Sequence, residues 1–236
     1  MSIYRIAIDG PAGAGKSTIA KAAARELGID YVDTGAMYRA IALKLIRTGT
    51  DYKDPEALAK LLSDTDVDFD AGKTLLDGED VSGLIRTQEV SEMASASSAV
   101  QAVRDKLVAL QQAMGKRKSL VMDGRDIASK VFPDAELKFY VTASSKVRAE
   151  RRAEDMRAAG QPCDVDQIQA EIEARDYRDM NRENSPLVRV PEAVLIDTSY
   201  QTIEESVAEV TERAKALGSK GNKRGRKCRI TTQKTS

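Results

Sequence analysis

Residues 8–18 read IDGPAGAGKST, and within them residues 10–17 complete the motif G-x-x-x-x-G-K-[ST]. The preceding residues 4–8 (YRIAI) form a short apolar run typical of a buried strand, and the Ala-rich residues 16–27 predict a helix that stops at Gly28. Glycines allow backbone N–H groups to close around phosphates, and the positive end of a following helix points at the same place. The motif in this context therefore predicts a nucleoside triphosphate site rather than a plain glycine-rich turn.

Two side chains of the motif have separate expected tasks. Lys16 should reach the β and γ phosphates, and Ser17 should bind Mg²⁺. A GTPase, a nucleotidase or a transporter ATPase would use the same loop. The loop therefore predicts that the protein binds the phosphates of a nucleotide, but it does not identify the second substrate.

Strands and helices alternate along the rest of the chain. We predict further strands at residues 29–32, 119–122, 137–141 and 193–196. We predict helices at residues 34–48, 55–63, 87–116 (with a break near 95–98), 144–159, 164–184 and 202–217. Thr34, Asp54 and Ser144 are placed to cap three of them, and residues 67–81 predict a small hairpin insert. This alternation predicts an α/β fold with an open, parallel, five-stranded sheet flanked by helices.

The composition fits a single large globular domain and narrows the chemistry. The 236 residues are 42% hydrophobic and 31% charged, without an apolar run long enough to cross a bilayer, and the start does not resemble a signal peptide, so we expect a cytoplasmic protein. The chain has no histidine, which excludes Ser-His-Asp catalysis and makes a zinc site improbable. Cys163 and Cys228 fit no metal motif, and we interpret them as incidental reduced thiols.

The charge is unevenly distributed. Residues 219–236 hold seven basic and no acidic residues, so the rest of the chain carries about seven more acidic than basic residues although the formal net charge is zero. We predict that this segment is a disordered, solubilising tail beyond a kinase-like body at 1–218. A weak, salt-sensitive contact with RNA is the alternative; we expect no specific nucleic-acid binding and no membrane partner.

Two further segments follow predicted strands, where α/β folds bind ligands. Residues 33–39 (DTGAMYR) offer a hydroxyl, an aromatic ring and Arg39, although a helix cap would explain the same pattern. Residues 123–126 (DGRD) offer Asp123 as a second Mg²⁺ ligand, an arginine for a phosphate and an acid for an amino group. An ordinary Asp-Gly turn is the alternative for this second segment.

Arginines are dense on two predicted helices. The first helix carries Arg148, Arg151 and Arg152. On the second, Arg175, Asp179 and Arg182 are spaced to share one face. Arginines stabilise a phosphoryl group in transfer through bidentate bonds, whereas a solvated helix with local ion pairs would need no ligand.

Taken together and in order, these segments resemble bacterial cytidylate kinase. The resemblance is carried by residues 8–18, 33–39, 77–90 (DGEDVSGLIRTQEV), 123–127 (DGRDI), 131–144 (VFPDAELKFYVTAS) and 175–187 (RDYRDMNRENSPL). It extends from about residue 3 to 217, and the segments 77–90 and 123–127 are more specific than the phosphate loop. Enzymes of this family transfer the γ-phosphoryl group of ATP to CMP or dCMP with Mg²⁺, in pyrimidine nucleotide metabolism.

The resemblance implies a role for each matching position. The ATP site would comprise Gly10, Pro11, Ala12, Gly13, Ala14, Gly15, Lys16, Ser17 and Thr18, with Ser17 and Asp123 as the metal ligands. Cytosine would be read by Thr34, Arg104 and Asp126; the ribose would be bound by Arg175 and Asp179; and the acceptor phosphate or the moving group would be bound by Arg39, Arg125 and Arg182. The transfer itself would depend on Lys16, Arg125, Arg151 and Arg182.

The family resemblance also implies a division of the chain. The core would be 1–48 and 117–218, the acceptor-binding insert about 49–116 and the lid about 148–165, in a monomer. Thr34 stands where many members have serine, the hairpin insert is short, and the tail lies beyond the resemblance. A kinase of UMP or of a sugar acid is the remaining alternative.

Overall fold

The centre of the molecule is a parallel sheet of five strands. The computed structural model describes residues 3–70 and 72–227, in which the strands are β1 Arg5–Asp9, β2 Asp30–Asp33, β3 Val67–Asp70, β4 Lys73–Leu76, β5 Glu79–Asp80, β6 Leu120–Gly124, β7 Leu137–Thr142 and β8 Val194–Asp197. Strands β2, β6, β1, β7 and β8 lie side by side in that order, and each neighbouring pair is parallel. The predicted fold class is confirmed, and β1, which leads into the phosphate loop, lies in the middle of the sheet.

Helices cover both faces of this sheet. They are α1 Lys16–Leu27, α2 Thr34–Thr48, α3 Pro55–Ser63, α4 Gln88–Ser97, α5 Gln101–Arg117, α6 Ser145–Ala158, α7 Val165–Asn181 and α8 Ile203–Lys227. Throughout the described part of the chain, no helix combines the length and the apolar character that crossing a bilayer requires.

The sheet divides the core into two apolar clusters. Side chains alternate between the faces of a strand, so Ile6 and Ile8 of β1 pack with α1 and α8, whereas Ala7 packs with α2 and α5. Fully burying each large aliphatic side chain contributes about 1.5–3 kcal/mol. The two clusters hold the carboxyl ends of the five strands at one edge, where the loops of the site begin.

Asp33, not Thr34, caps α2. The Asp33 carboxylate accepts a hydrogen bond of 2.9 Å from the Ala36 amide, and Thr34 is the first helical residue. The predicted cap was wrong because Asp33, at the end of β2, has the extended backbone that a cap requires. Asp54 and Ser144 cap α3 and α6, as predicted.

The segment between α2 and β6 contains the predicted hairpin. Strands β3 and β4 pair antiparallel, and the two-residue strand β5 extends them to a small three-stranded sheet. Val67 and Leu76 of this sheet are buried in the same apolar cluster as Met37 of α2. The insert is therefore packed onto the main core rather than joined to it only by the chain.

Two predicted helix ends differ from the structure. Helix α7 ends at Asn181, not at residue 184, because the chain turns back and the Leu187 amide donates to the Asp179 carbonyl at 2.8 Å. Helix α8 continues to Lys227 instead of stopping at Gly218, so residues 219–227 are helical and not the disordered segment predicted. No proline follows Gly218 to stop the helix, although Gly218, Gly221 and Gly225 each cost about 1 kcal/mol relative to alanine. The remaining tail, residues 228–236 with Cys228, lies outside the described residues.

The sequence patterns missed one short element. Residues Ile127–Val131, just after β6, form a wide helical turn in which the amides of Val131 and Phe132 donate to the carbonyls five residues earlier. Such π-type turns are frequent at functional sites.

Candidate active site

The phosphate loop lies between β1 and α1, as its flanks predicted. Lys16 is 6% exposed, and its ammonium group donates to the Pro11 carbonyl at 2.7 Å, across the loop. Burial, together with the nearby Arg125 guanidinium, lowers the pKa of Lys16 to about 7. A phosphate placed in the loop would supply the negative charge that this ammonium group requires.

Gly10 is required by a close approach of two strands. Its φ is 148°, and a Cβ built on it would overlap the carbonyl oxygen of Val141 and lie 3.0 Å from the carbonyl carbon. Val141 belongs to β7, which is hydrogen-bonded to β1 and cannot move away easily. The loop therefore leaves the sheet at a point where only glycine fits.

Asp123, near the end of β6, connects three neighbouring elements. Its carboxylate accepts hydrogen bonds from the hydroxyls of Ser17 at 2.8 Å and Tyr31 at 2.9 Å. Its backbone carbonyl accepts a bond of 2.7 Å from the Thr34 hydroxyl. Burial and the negative charge of Asp33 raise the pKa of Asp123. A buried carboxylate and a hydroxyl beside a phosphate loop are the oxygen ligands that suit Mg²⁺, so Asp123 and Ser17 fit the predicted metal site.

A second buried carboxylate lies two residues after Gly124. Asp126 is 4% exposed and forms an ion pair with Arg104 of α5, which is 2% exposed. Arg182 approaches the other oxygen of Asp126 at 3.9 Å. The Arg104 guanidinium also lies 5.6 Å from the centre of the Tyr38 ring. This pair offers hydrogen-bond donors and acceptors side by side, next to the Tyr38 ring.

Three further arginines approach from α2, α7 and the loop after β6. Arg125 donates to the Asp179 carboxylate at 2.9 Å, and Arg39 donates to Asp33 at 3.2 Å. Arg175 is half-buried, and desolvation together with the nearby positive Arg125 lowers its pKa. An anion bound among these guanidinium groups would relieve their mutual repulsion.

These side chains line a single open cleft of about 1480 Å³. Of the predicted site residues, the cleft is lined by Ala12, Gly13, Lys16, Ser17, Thr18, Thr34, Arg39, Arg104, Asp123, Arg125, Asp126, Arg175, Asp179 and Arg182. Arg151 is separate from this group: it donates to the hydroxyl and carbonyl oxygens of Thr198 at 3.1 and 2.7 Å. Thr198 in turn donates to the Ala14 carbonyl, so Arg151 supports the outer side of the phosphate loop.

Several buried polar atoms around the cleft have no hydrogen-bond partner among the described residues. They are the Tyr38 hydroxyl and the Nε atoms of Arg39, Arg104 and Arg175. An unpaired buried polar atom costs about 1–3 kcal/mol. A polar ligand bound in the cleft would supply partners to these atoms.

Sequence reasoning missed three residues that shape the site. Tyr31 holds Asp123, and Asp9 accepts the amides of Ile127 and Ala128. Arg148 donates to Ala12 in the loop, to Ala143 and to Asp176 of α7. Asp9 precedes the motif directly, and Arg148 belonged to the noted arginine run, but neither contact can be deduced from spacing.

Known proteins resemble this chain over most of its length. The family model described as cytidylate kinase matches residues 6–216. The cytidylate kinase of Symbiobacterium thermophilum is 48% identical over 210 residues, which are 87% of this chain and 93% of that protein. The cytidylate kinase of Desulforamulus reducens is 49% identical over 205 residues, 86% of this chain and 92% of that protein. The crystal structure of an uncharacterized protein from Eubacterium ventriosum covers 91% of this chain with a TM-score of 0.51 and 12% identity, a likeness of fold alone.

Proposed function

The chain belongs to the cytidylate kinase family, and we propose that it transfers the γ-phosphoryl group of ATP to CMP and dCMP, giving ADP and CDP or dCDP. It is a nucleoside monophosphate kinase, a phosphotransferase. The observation that carries the choice of acceptor is the buried Asp126–Arg104 pair in the same cleft as the phosphate loop.

The donor half of the site is the phosphate loop. The backbone N–H groups of residue 10 and residues 12–18, with the start of α1, would surround the β and γ phosphates of ATP. The Lys16 ammonium, now bonded to the Pro11 carbonyl, would turn to these oxygens. The negative phosphates would restore the pKa that burial has lowered, and so keep the ammonium charged for the transfer.

The acceptor half reads cytosine by its pattern of donors and acceptors. The Asp126 carboxylate would accept from the exocyclic amine, and the Arg104 guanidinium would donate to the ring nitrogen and carbonyl oxygen. The Thr34 hydroxyl is committed to the Asp123 carbonyl. It would contact the base through its second acceptor lone pair. Uracil presents a carbonyl where cytosine presents the amine, and Asp126 would repel it.

Transfer requires position and charge rather than a covalent intermediate. An oxygen of the acceptor phosphate would attack the γ-phosphorus directly, in line with the leaving ADP oxygen. Arg39, Arg125 and Arg182 would hold the acceptor phosphate and the moving group, while Arg175 and Asp179 would bind the ribose. Mg²⁺ bound by Ser17 and Asp123 would neutralise charge on the donor phosphates.

We also propose a moving lid at residues 148–165, and an acceptor-binding insert at about 49–116. Arg148 and Arg151 fasten the first turns of α6 to the phosphate loop and to Thr198. Farther along, the helix packs on α7 through Ala153 and Met156. Closure of this lid, with Arg152, would exclude water from the transferred group.

An acceptor panel tests the function. The purified chain, ATP and Mg²⁺ are combined separately with CMP, dCMP, UMP and AMP, and kcat/KM is measured for each. Cytidine monophosphates should exceed UMP and AMP by at least tenfold. Equal or faster turnover of AMP would refute the proposal, and a preference for UMP would favour the alternative acceptor.

A further inference from the structure

Asp9 is a buried carboxylate that the transfer reaction does not use. It is the last residue of β1, directly before Gly10, and it is 2% exposed. A buried carboxylate is costly unless hydrogen bonds satisfy it. Burial raises the pKa of Asp9 to about 7, although two backbone hydrogen bonds oppose the shift.

The two amides that donate to Asp9 belong to residues far from it in the sequence. Ile127 donates its amide to one carboxylate oxygen at 2.8 Å, and Ala128 donates its amide to the other at 2.7 Å. These amides open the helical turn that follows Asp126, about 118 residues after Asp9 in the chain. One side chain thus ties the start of the phosphate loop to the segment that carries Asp126.

Asp126 occupies the position from which an aspartate normally caps a helical turn. A capping aspartate accepts amides two or three residues ahead with its own carboxylate. Within the described chain, Asp126 makes no such bond; its carboxylate faces Arg104 instead. Asp9 accepts the opening amides of that turn from the neighbouring strand, and this leaves the Asp126 carboxylate free to point into the cleft.

We propose that Asp9 is a positioning residue for acceptor recognition. Asp9 accepts the amides of residues 127 and 128, and the Asp126 side chain is therefore left to face the base. This inference rests on the proposed function, because it assumes that Asp126 reads cytosine. The carbonyl of Asp126 is held as well, by the amides of Lys130 at 2.8 Å and Val131 at 3.3 Å. Without Asp9, the Asp126 carboxylate would compete to cap its own turn and would leave its place opposite Arg104.

The test compares Asp9→Asn with a matched control. Asparagine keeps the shape and one acceptor oxygen but places an NH₂ group against the other amide. Asp54→Asn is the control, because Asp54 also accepts two backbone amides, from Glu56 and Ala57, but at the exposed start of α3. Asp9 uses both carboxylate oxygens, so Asp9→Asn loses one of two buried backbone bonds and should lower the Tm. Both bonds of Asp54 go to one oxygen, which asparagine keeps, so Asp54→Asn should leave the Tm almost unchanged.

Asp9→Asn should raise the KM for CMP about tenfold and reduce the CMP over UMP preference by a similar factor, while the KM for ATP stays within about twofold. Asp54→Asn should change neither constant. In an Asp126→Ala background, Asp9→Asn should alter the KM for CMP by less than about twofold, because the residue through which it acts is gone.

Equal increases in both KM values, or an undiminished effect of Asp9→Asn in the Asp126→Ala background, would overturn the inference. If the wild-type chain phosphorylates CMP but Asp9→Asn behaves like Asp54→Asn, the inference alone fails. If the wild-type chain does not use CMP, the proposed function fails as well, and the two results are distinguishable. Should Asp9→Asn not fold at the assay temperature, Asp9→Ser is measured instead, with CMP and ATP affinities obtained by titration in the cold.

Discussion

Replacing Gly10 by alanine tests the claim that two strands meet too closely for any side chain at this point. The added methyl group would overlap the Val141 carbonyl oxygen and lie 3.0 and 3.3 Å from the carbonyl carbon and the nitrogen of the same residue. All three atoms are backbone atoms of β7. A rotamer change cannot relieve the overlap, so β1 and β7 would have to separate.

The size of the effect follows from two contributions. A φ of 148° is almost exclusive to glycine, and strained backbone conformations cost about 1–3 kcal/mol. Forcing an extra methyl group into a packed interior costs about 1–3 kcal/mol more. We expect Gly10→Ala to lower the free energy of unfolding by about 2–6 kcal/mol, a large part of the roughly 5–15 kcal/mol of a typical domain.

Urea unfolding of the wild type, Gly10→Ala and Gly28→Ala measures this difference. Gly28 also has a positive φ, of 65°, but a Cβ built there meets no atom of the described residues within 4 Å. Its replacement should cost only the backbone contribution, about 1–2 kcal/mol. If the two variants lie within about 0.5 kcal/mol of each other at equal m-value, the close approach of the strands is not what requires glycine.

Three further predictions concern the two halves of the site and the end of α8. Asp126→Ala should raise the activation free energy derived from kcat/KM for CMP by about 1–3 kcal/mol, with little change in the KM for ATP. An equal rise in the KM for ATP would contradict the proposal that Asp126 recognises the base. The pKa of Lys16 is lowered to about 7 in the folded chain, so between pH 7 and about 10 its amino group binds more protons in the unfolded state than in the folded state. The free energy of unfolding should therefore rise with pH over this range. Lys16→Met should abolish that rise, and calorimetry at pH 8 in two buffers should show proton uptake on ATP binding by the wild type only. Removal of residues 219–236 should leave kinase activity intact, because the buried apolar side chains that the structure describes on α8 are Val207, Val210 and Ala214. Lost activity would mean that the kinase body extends further.

The phosphate loop could be predicted from the sequence because its determinants are local. Motif, preceding strand and following helix are contiguous, and α1 begins and ends at the predicted residues. The cap of α2 was harder, since Asp33 and Thr34 are adjacent and both suit the position. Only the contact of Thr34 with Asp123, on another strand, decides between them.

Contacts between distant segments could not be deduced from spacing. The Arg104–Asp126 pair joins α5 to the loop after β6, and the family resemblance indicated its residues, whereas charge pattern alone did not. Asp9 and Ile127 are 118 residues apart and meet only because β1 and β6 are neighbours in the sheet. Arg182 was expected on the face of α7, but it lies just past the helix end, where its Nε donates to the Ser185 carbonyl.

The unpaired polar atoms that line the cleft predict that the rate at which the protein is degraded depends on the concentration of its nucleotide ligand. Tyr38, Arg39, Arg104 and Arg175 each bury an atom that lacks a hydrogen-bond partner in the described chain. A ligand that provides partners favours the folded state, by about 2.7 kcal/mol when its free concentration is 100 times its Kd. A cell rich in cytidine monophosphates should therefore protect the chain from proteolysis, and starvation for them should lower its abundance without any change in synthesis.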